Sequence, residues 1–125
     1  MFGADGSSKP YCRALGAFNA EVDKIAASRF DPVVMRTFVA RDRFSDVLDG
    51  LEAAAPAEIA ADVEADVEWF RTRWSDVVER YGYDLRRIYV DATPEDLAVF
   101  NRTHPDVFEH TSRTAAYEAQ VCEGG

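Results

Sequence analysis

The sequence predicts an all-α protein: a single four-helix bundle of the up-down type, with an extra short helix around residues 84–102. Apolar residues recur at three- and four-residue steps, and Asp-Pro and Thr-Pro pairs typical of helix starts interrupt them. No segment alternates apolar and polar residues as a strand would. One core is expected, because a chain of 125 residues is close to the commonest domain size.

The predicted domain organisation has three parts. Residues 1–10 are Gly- and Ser-rich with no apolar run, which indicates a flexible N-terminal tether rather than a signal peptide. They resemble what remains when a secretion signal is removed and a start Met is added. Residues 11–122 form the helical bundle domain, and residues 123–125 a C-terminal tail. No stretch approaches the roughly 18 apolar residues of a transmembrane helix.

The first two predicted helices meet at Asp31-Pro32. Asp accepts hydrogen bonds from free backbone N–H groups and Pro suits the first helical turn. The second helix then extends to Pro56, which favours an extended residue before it. The apolar positions are Cys12, Leu15, Phe18, Val22 and Ile25 in the first helix, and Val34, Phe38, Phe44, Val47, Leu48 and Leu51 in the second.

The third helix is the most regular, and Gly82 is predicted to end it because glycine adopts the left-handed conformation cheaply. Beyond a short helical turn, Thr93 is the predicted N-cap and Pro94 the first residue of a brief helix. A last helix covers 105–122. The seam of the third helix consists of Ile59, Val63, Val67, Phe70, Trp74, Val77 and Tyr81.

The two cysteines lie near the start of the first helix and the end of the last. In an up-down bundle with an even number of long helices, these points lie at the same end. Cys12 and Cys122 are then within the Cα separation of roughly 4.4–6.8 Å that a disulfide needs. A Cys12–Cys122 disulfide would indicate an oxidising compartment. The alternative is two unrelated thiols in a cytosolic protein, each filling a small core site.

Several short segments carry a family resemblance. They are YCRAL at 11–15, AAAPAEI at 53–59 leading into an acidic helix, YGYD at 81–84 and YEAQVC at 117–122. The chain resembles small secreted or lipid-anchored, lipoprotein-like helical-bundle proteins of actinobacteria, which have paired terminal cysteines and no established activity. The resemblance implies a secreted or cell-envelope location and transfers no catalytic residue.

The charge of the chain limits its partners. A net charge of −9, from 23 acidic and 14 basic residues, is opposite to the cationic footprint of a nucleic-acid binder. Acidic residues four apart on the third helix destabilise it mildly unless basic side chains neutralise them. These residues form either a solvated helix face or, together with the neighbouring Trp, an interaction surface for a basic partner. The members of this predicted surface are Asp62, Glu64, Asp66, Glu68 and Trp69.

The motifs for catalysis are missing from the sequence. No serine lies in a nucleophile-elbow pattern, and no Gly-rich loop would cradle a phosphate. Asp106 and His110 are four apart on one helix, but metal sites need at least three strong ligands. We therefore expect no enzyme activity, no metal and no cofactor. Trp69, Tyr83 and Tyr89 could line a groove for an apolar ligand.

These observations predict an extracytoplasmic, non-catalytic helical binding or interaction module whose partner is an unidentified protein or small ligand. One alternative is a cytosolic acidic inhibitor, similar to a DNA mimic, that binds a basic partner. Another is a carrier of a small apolar ligand, which would use a cavity between helices.

Overall fold

The computed structural model describes residues 8–40 and 42–123. Within these ranges every regular element is helical, which confirms the all-α class. The elements are α1 (Ser8–Ala27), α2 (Pro32–Ala40), α3 (Asp42–Ala54), α4 (Ala60–Trp69), a π-helical segment (Phe70–Trp74), α5 (Ser75–Arg80), α6 (Leu85–Asp91), α7 (Pro94–Asn101), α8 (Pro105–Tyr117) and a second π-helical segment (Glu118–Glu123).

The predicted second helix covers α2 and α3, and residue 41 between them lies outside the described residues. The Phe38 ring in α2 and the Phe44 ring in α3 have centroids 5.0 Å apart, and both side chains are buried. The two segments therefore supply neighbouring rings to one core.

The region 84–102, predicted to hold an extra short helix, contains two: α6, where a short helical turn was expected, and α7, which begins at Pro94 as predicted. Residues 8–10 of the predicted tether belong to α1, and residues 1–7 lie outside the described part.

The predicted helix ends follow local chemistry. Asp31 Oδ1 accepts a hydrogen bond from the Val33 N–H at 2.8 Å, and Thr93 Oγ1 accepts one from the Asp96 N–H at 3.1 Å. Gly82 has a φ of 68° just beyond α5. The Tyr83 N–H donates to the Val78 carbonyl at 2.9 Å, which completes a Schellman motif at this helix end.

The longer helices surround a shared core. Helix α1 packs on α3, α3 on α4, α4 on α8, and the C-terminal π-helical segment returns to α1. The full up-down order of a four-helix bundle stays a prediction. The largest side chains that are almost fully buried are Tyr11, Leu48, Ile59, Val67, Val77, Val78, Ile88, Val107 and Tyr117.

A disulfide joins the two ends of the domain, as predicted. The Cα atoms of Cys12 and Cys122 are 5.4 Å apart, and the described residues include no free cysteine. Beside it, the Tyr11 hydroxyl donates a hydrogen bond to Glu118 at 2.9 Å, and the Tyr11 ring meets Tyr117 edge-on at 5.8 Å. Burial and the Glu118 carboxylate raise the pKa of Tyr11, so its hydroxyl remains a donor.

Across the described residues, the helices are each too short or too polar to span a membrane.

Candidate functional site

A concave apolar depression opens between α1, α2, α6 and α7; we call it the aromatic groove. Its volume is about 450 Å³, within the range of roughly 300–1,000 Å³ typical of small-molecule sites. Its lining residues are Phe18, Asn19, Val22, Ile25, Phe30, Met35, Phe38, Phe44, Phe70, Trp74, Leu85, Tyr89, Phe100, Asn101 and Arg102.

The floor of the aromatic groove is an array of aromatic rings around the first π-helical segment. That segment begins at Phe70 and ends at Trp74, whose ring centroids are 5.3 Å apart. Trp74 stacks on Phe100 of α7 at 5.7 Å and meets Phe44 of α3 at 5.5 Å. Short π-helical segments inside α-helices are frequent at functional sites. Here the segment supplies two rings to one concave surface.

The rim of the groove contains two aromatic side chains that remain partly exposed, Phe30 at 41% and Tyr89 at 57%. Phe30 follows α1, and its N–H donates to the Ile25 carbonyl at 3.0 Å in a second Schellman motif. Arg29 and Phe30 have φ values of 59° and 57°. The left-handed conformation costs an L-residue roughly 1–2 kcal/mol. Such strain clusters at functional sites.

Arg102, another residue that lines the groove, repeats this feature. It follows the last residue of α7 with a φ of 59°, and the Thr103 N–H donates to the Ala98 carbonyl at 3.0 Å. This is the helix-end position that Gly82 fills after α5, where glycine carries no steric cost. The Arg102 guanidinium lies 4.8 Å above the Phe70 ring. An arginine therefore occupies a position that favours glycine, and its side chain faces the groove.

A second, smaller cavity of about 120 Å³ adjoins the groove; we call it the polar cavity. The groove and the polar cavity share four lining residues, Phe18, Asn19, Phe70 and Arg102. Asp66 also lines the polar cavity, where its buried carboxylate accepts hydrogen bonds from Thr111 and Thr114 of α8.

The pKa of Asp66 follows from this environment. Burial raises the pKa of the carboxyl, and the hydrogen bonds from Thr114 and Thr111 offset part of that rise. Because α8 supplies both hydroxyls, Asp66 holds α4 to α8 from within the polar cavity.

The five residues of the predicted interaction surface do not share one surface. Glu64 and Glu68 are exposed, whereas Asp62, Asp66 and Trp69 are buried, at 8%, 8% and 7% exposure. The two Asp residues are buried because their four-residue spacing places both on the face of α4 that packs against α8. The acidic row that remains accessible is therefore reduced to two glutamates.

The Asp62 carboxylate is paired with basic side chains of α8. Its Oδ1 lies 2.8 Å from His110 Nδ1 and accepts a hydrogen bond from Arg113 Nε at 2.8 Å. Arg71 and Arg73 follow the acidic row in the sequence and are within reach of its later members, but they do not pair with it. They pair instead with Asp49 and with Asp106, which belong to α3 and α8.

This arrangement makes the stability pH-dependent. Burial alone would raise the pKa of Asp62, but the hydrogen bonds from His110 and Arg113 outweigh it and lower the pKa below its ordinary value. The stabilisation by Asp62 is therefore present above the unfolded-state pKa and is lost as the pH falls through the folded-state pKa. We expect Asp62→Asn to unfold more easily than the parent at pH 7, by roughly 1 kcal/mol. The deficit should shrink as the pH falls below about 4.

Urea unfolding between pH 7 and pH 3 measures this difference. Glu64→Gln is the matched control, because it removes an exposed carboxylate from the same helix, and its unfolding should follow the parent at each pH. A deficit of Asp62→Asn that stays constant or grows on acidification would contradict the assignment.

The three aromatic residues predicted to line a groove, Trp69, Tyr83 and Tyr89, do not lie together. Tyr89 lines the aromatic groove, whereas Tyr83 borders a separate depression beside α3. Trp69 is buried, and its Nε1–H donates to the Val99 carbonyl at 3.1 Å. Of these three residues, only Tyr89 therefore lines the aromatic groove. Sequence reasoning missed Arg102, for which the helix-stop residues Thr103-His104-Pro105 were the available signal.

The two residues weighed as metal ligands, Asp106 and His110, have other partners, and so does the nearby His104. His104 Nδ1 accepts a hydrogen bond from the Asp106 N–H at 3.1 Å and so caps α8. Asp106 pairs with Arg73 at 2.9 Å, and His110 contacts Asp62. In the part of the chain that the structure describes, no group of three or more His, Cys, Asp or Glu side chains is placed to hold a metal ion.

Comparison of the chain with protein-family models, with curated proteins and with solved structures finds no match. The resemblance to actinobacterial envelope proteins therefore stays a prediction, and the proposed function depends on the geometry of the groove.

Proposed function

We propose that this protein is an extracytoplasmic, non-catalytic binding module that holds a small apolar ligand in the aromatic groove. The observation that carries the proposal is the groove itself, a concavity of about 450 Å³ with aromatic rings on its floor and rim. Transfer of an apolar molecule from water onto this surface gains roughly 25 cal/mol per Å² of apolar area buried.

The exposure of the rim side chains favours a ligand-binding groove over a simple gap in the packing. Phe30 and Tyr89 retain about half of their surface in contact with water. A bound apolar molecule would cover both side chains. The left-handed turn at Arg29-Phe30 holds one of these rings at the opening.

The disulfide supports an extracytoplasmic location, because such bonds persist in oxidising compartments. The resemblance to secreted actinobacterial helical proteins points the same way. The alternative of an acidic inhibitor or DNA mimic receives less support, since Asp62 and Asp66 are buried and hydrogen-bonded within the protein.

Binding of the uncharged fluorescent probe N-phenylnaphthylamine tests the proposal. We expect saturable binding to the parent protein. The double variant Phe30→Ala/Tyr89→Ala should bind about tenfold more weakly, because it removes two apolar contacts at the rim. Both residues are partly exposed, so the fold should survive, and circular dichroism during urea unfolding will verify this.

Phe108→Ala is the matched control. Phe108 is 51% exposed on α8 and does not line the groove, so this variant should bind the probe like the parent. Absence of saturable binding to the parent, or an equal loss in Phe108→Ala, would refute the proposed function.

A further inference from the structure

We infer that the ligand of the aromatic groove is an amphiphile with a single anionic head group, such as a carboxylate, which binds at Arg102, Asn19 and Asn101. This inference rests on the proposed function and adds the chemical class of the ligand. Its basis is the distribution of polar side chains around the groove.

The polar donors are gathered at one end of the groove. Among the described residues that line it, Arg102 is the only charged one, and the amide residues Asn19 and Asn101 line it as well. Asn101 precedes Arg102 in the chain, and Asn19, like Arg102, lies where the groove meets the polar cavity. The rest of the lining is aliphatic or aromatic, apart from the Tyr89 hydroxyl and the Trp74 indole N–H.

The guanidinium of Arg102 has unused hydrogen-bonding capacity. It lies over the face of the Phe70 ring at 4.8 Å, and it forms no ion pair or hydrogen bond with any described residue. The side-chain amides of Asn19 and Asn101 likewise have no hydrogen-bond partner in the described ranges. A guanidinium offers five N–H donors in a planar fork that matches a carboxylate.

Asp66 does not occupy the hydrogen-bonding groups of Arg102. The positive charge of Arg102 favours the carboxylate form of Asp66, but the Asp66 oxygens accept their hydrogen bonds from Thr111 and Thr114 inside the polar cavity. The net charge of −9 does not exclude an anion either. Charges on the distant surface are screened beyond about 8 Å at physiological ionic strength, whereas the Arg102 contact is local.

The backbone at Arg102 supports a role for its side chain. With a φ of 59°, this position would be less strained with glycine. The helix end itself does not require a guanidinium, so binding of an anionic head group would give this side chain a role.

Three ligands with the same tail separate the possible head groups: decanoate, decanol and decylammonium. Each is titrated against the bound uncharged probe, below its aggregation concentration. We expect decanoate to displace the probe at about tenfold lower concentration than decanol, and decylammonium to be the weakest of the three.

Arg102→Gly is the decisive variant, because glycine suits the left-handed backbone and the protein should unfold at an equal or higher urea concentration. It should lose the tenfold preference for decanoate and keep the affinity for decanol. Arg29→Gly is the matched control: it makes the same substitution at a left-handed position after α1, but Arg29 does not line the groove. Arg102→Lys should retain part of the preference.

The outcomes distinguish the two proposals. Equal displacement by decanoate and decanol, a preference for decylammonium, or a loss of preference in Arg29→Gly as large as in Arg102→Gly would overturn the head-group assignment and leave the groove as an apolar site. Failure of the parent protein to bind the uncharged probe would overturn the proposed function itself.

Discussion

Reduction of the Cys12–Cys122 disulfide is expected to lower the free energy of unfolding by about 4–5 kcal/mol, the largest single effect predicted for this protein. The bond joins residues separated by 110 positions. Such a link removes many extended conformations from the unfolded chain, and the entropy estimate increases with the logarithm of the loop length. Small domains have a total stability of only about 5–15 kcal/mol, so the reduced protein should be marginally stable.

Urea unfolding with and without a thiol reductant measures this effect. The slope of the unfolding free energy against urea should also become steeper on reduction, because the unfolded chain without the link exposes more surface. The double variant Cys12→Ala/Cys122→Ala is the control, and its unfolding should be the same with and without reductant. A shift in the parent below about 1 kcal/mol would show that the link does not restrict the unfolded chain as proposed.

Trp69→Ala is expected to destabilise the protein by about 3–5 kcal/mol, the second largest effect. Trp69 is 7% exposed and its indole N–H donates to the Val99 carbonyl at 3.1 Å, which joins α4 to α7. The Arg73 guanidinium covers the ring at 4.5 Å, and the His104 ring lies 5.5 Å away. Alanine would leave a cavity beneath these two side chains and an unsatisfied carbonyl.

Circular dichroism during urea unfolding measures the loss without relying on tryptophan fluorescence. Trp69→Phe keeps most of the ring volume and should lose only about 1–2 kcal/mol, chiefly the hydrogen bond. Glu68→Ala changes the exposed neighbour and should stay within about 0.5 kcal/mol of the parent. If Trp69→Ala were as stable as Glu68→Ala, Trp69 would belong to an accessible surface, as the sequence had suggested.

The parts of the fold that sequence reasoning reached are those set by neighbouring residues. The caps at Asp31 and Thr93 and the stop at Gly82 depend on side chains and backbone preferences within one turn. The regular apolar spacing from Ile59 to Tyr81 is enough to predict a long helix, although it does not reveal the π-helical segment at Phe70–Trp74.

The candidate site was less accessible to sequence reasoning. Asp62 and Asp66 form an acidic row in the sequence, yet hydrogen bonds from Arg113 and Thr114, 51 and 48 positions away, allow both to be buried. Arg102 carries no motif, because its proposed role rests on a left-handed backbone and on its contact with an aromatic ring.

The sequence by itself determined the all-α class, most of the helix starts and stops, and a pairing of cysteines that joins the ends of the domain. These features arise from short-range backbone preferences and from the periodic burial of apolar side chains. Only the tertiary structure decided which charges are buried and where the aromatic groove opens. Those outcomes depend on contacts between residues far apart in the chain, whose energies exceed the local preferences that a sequence displays.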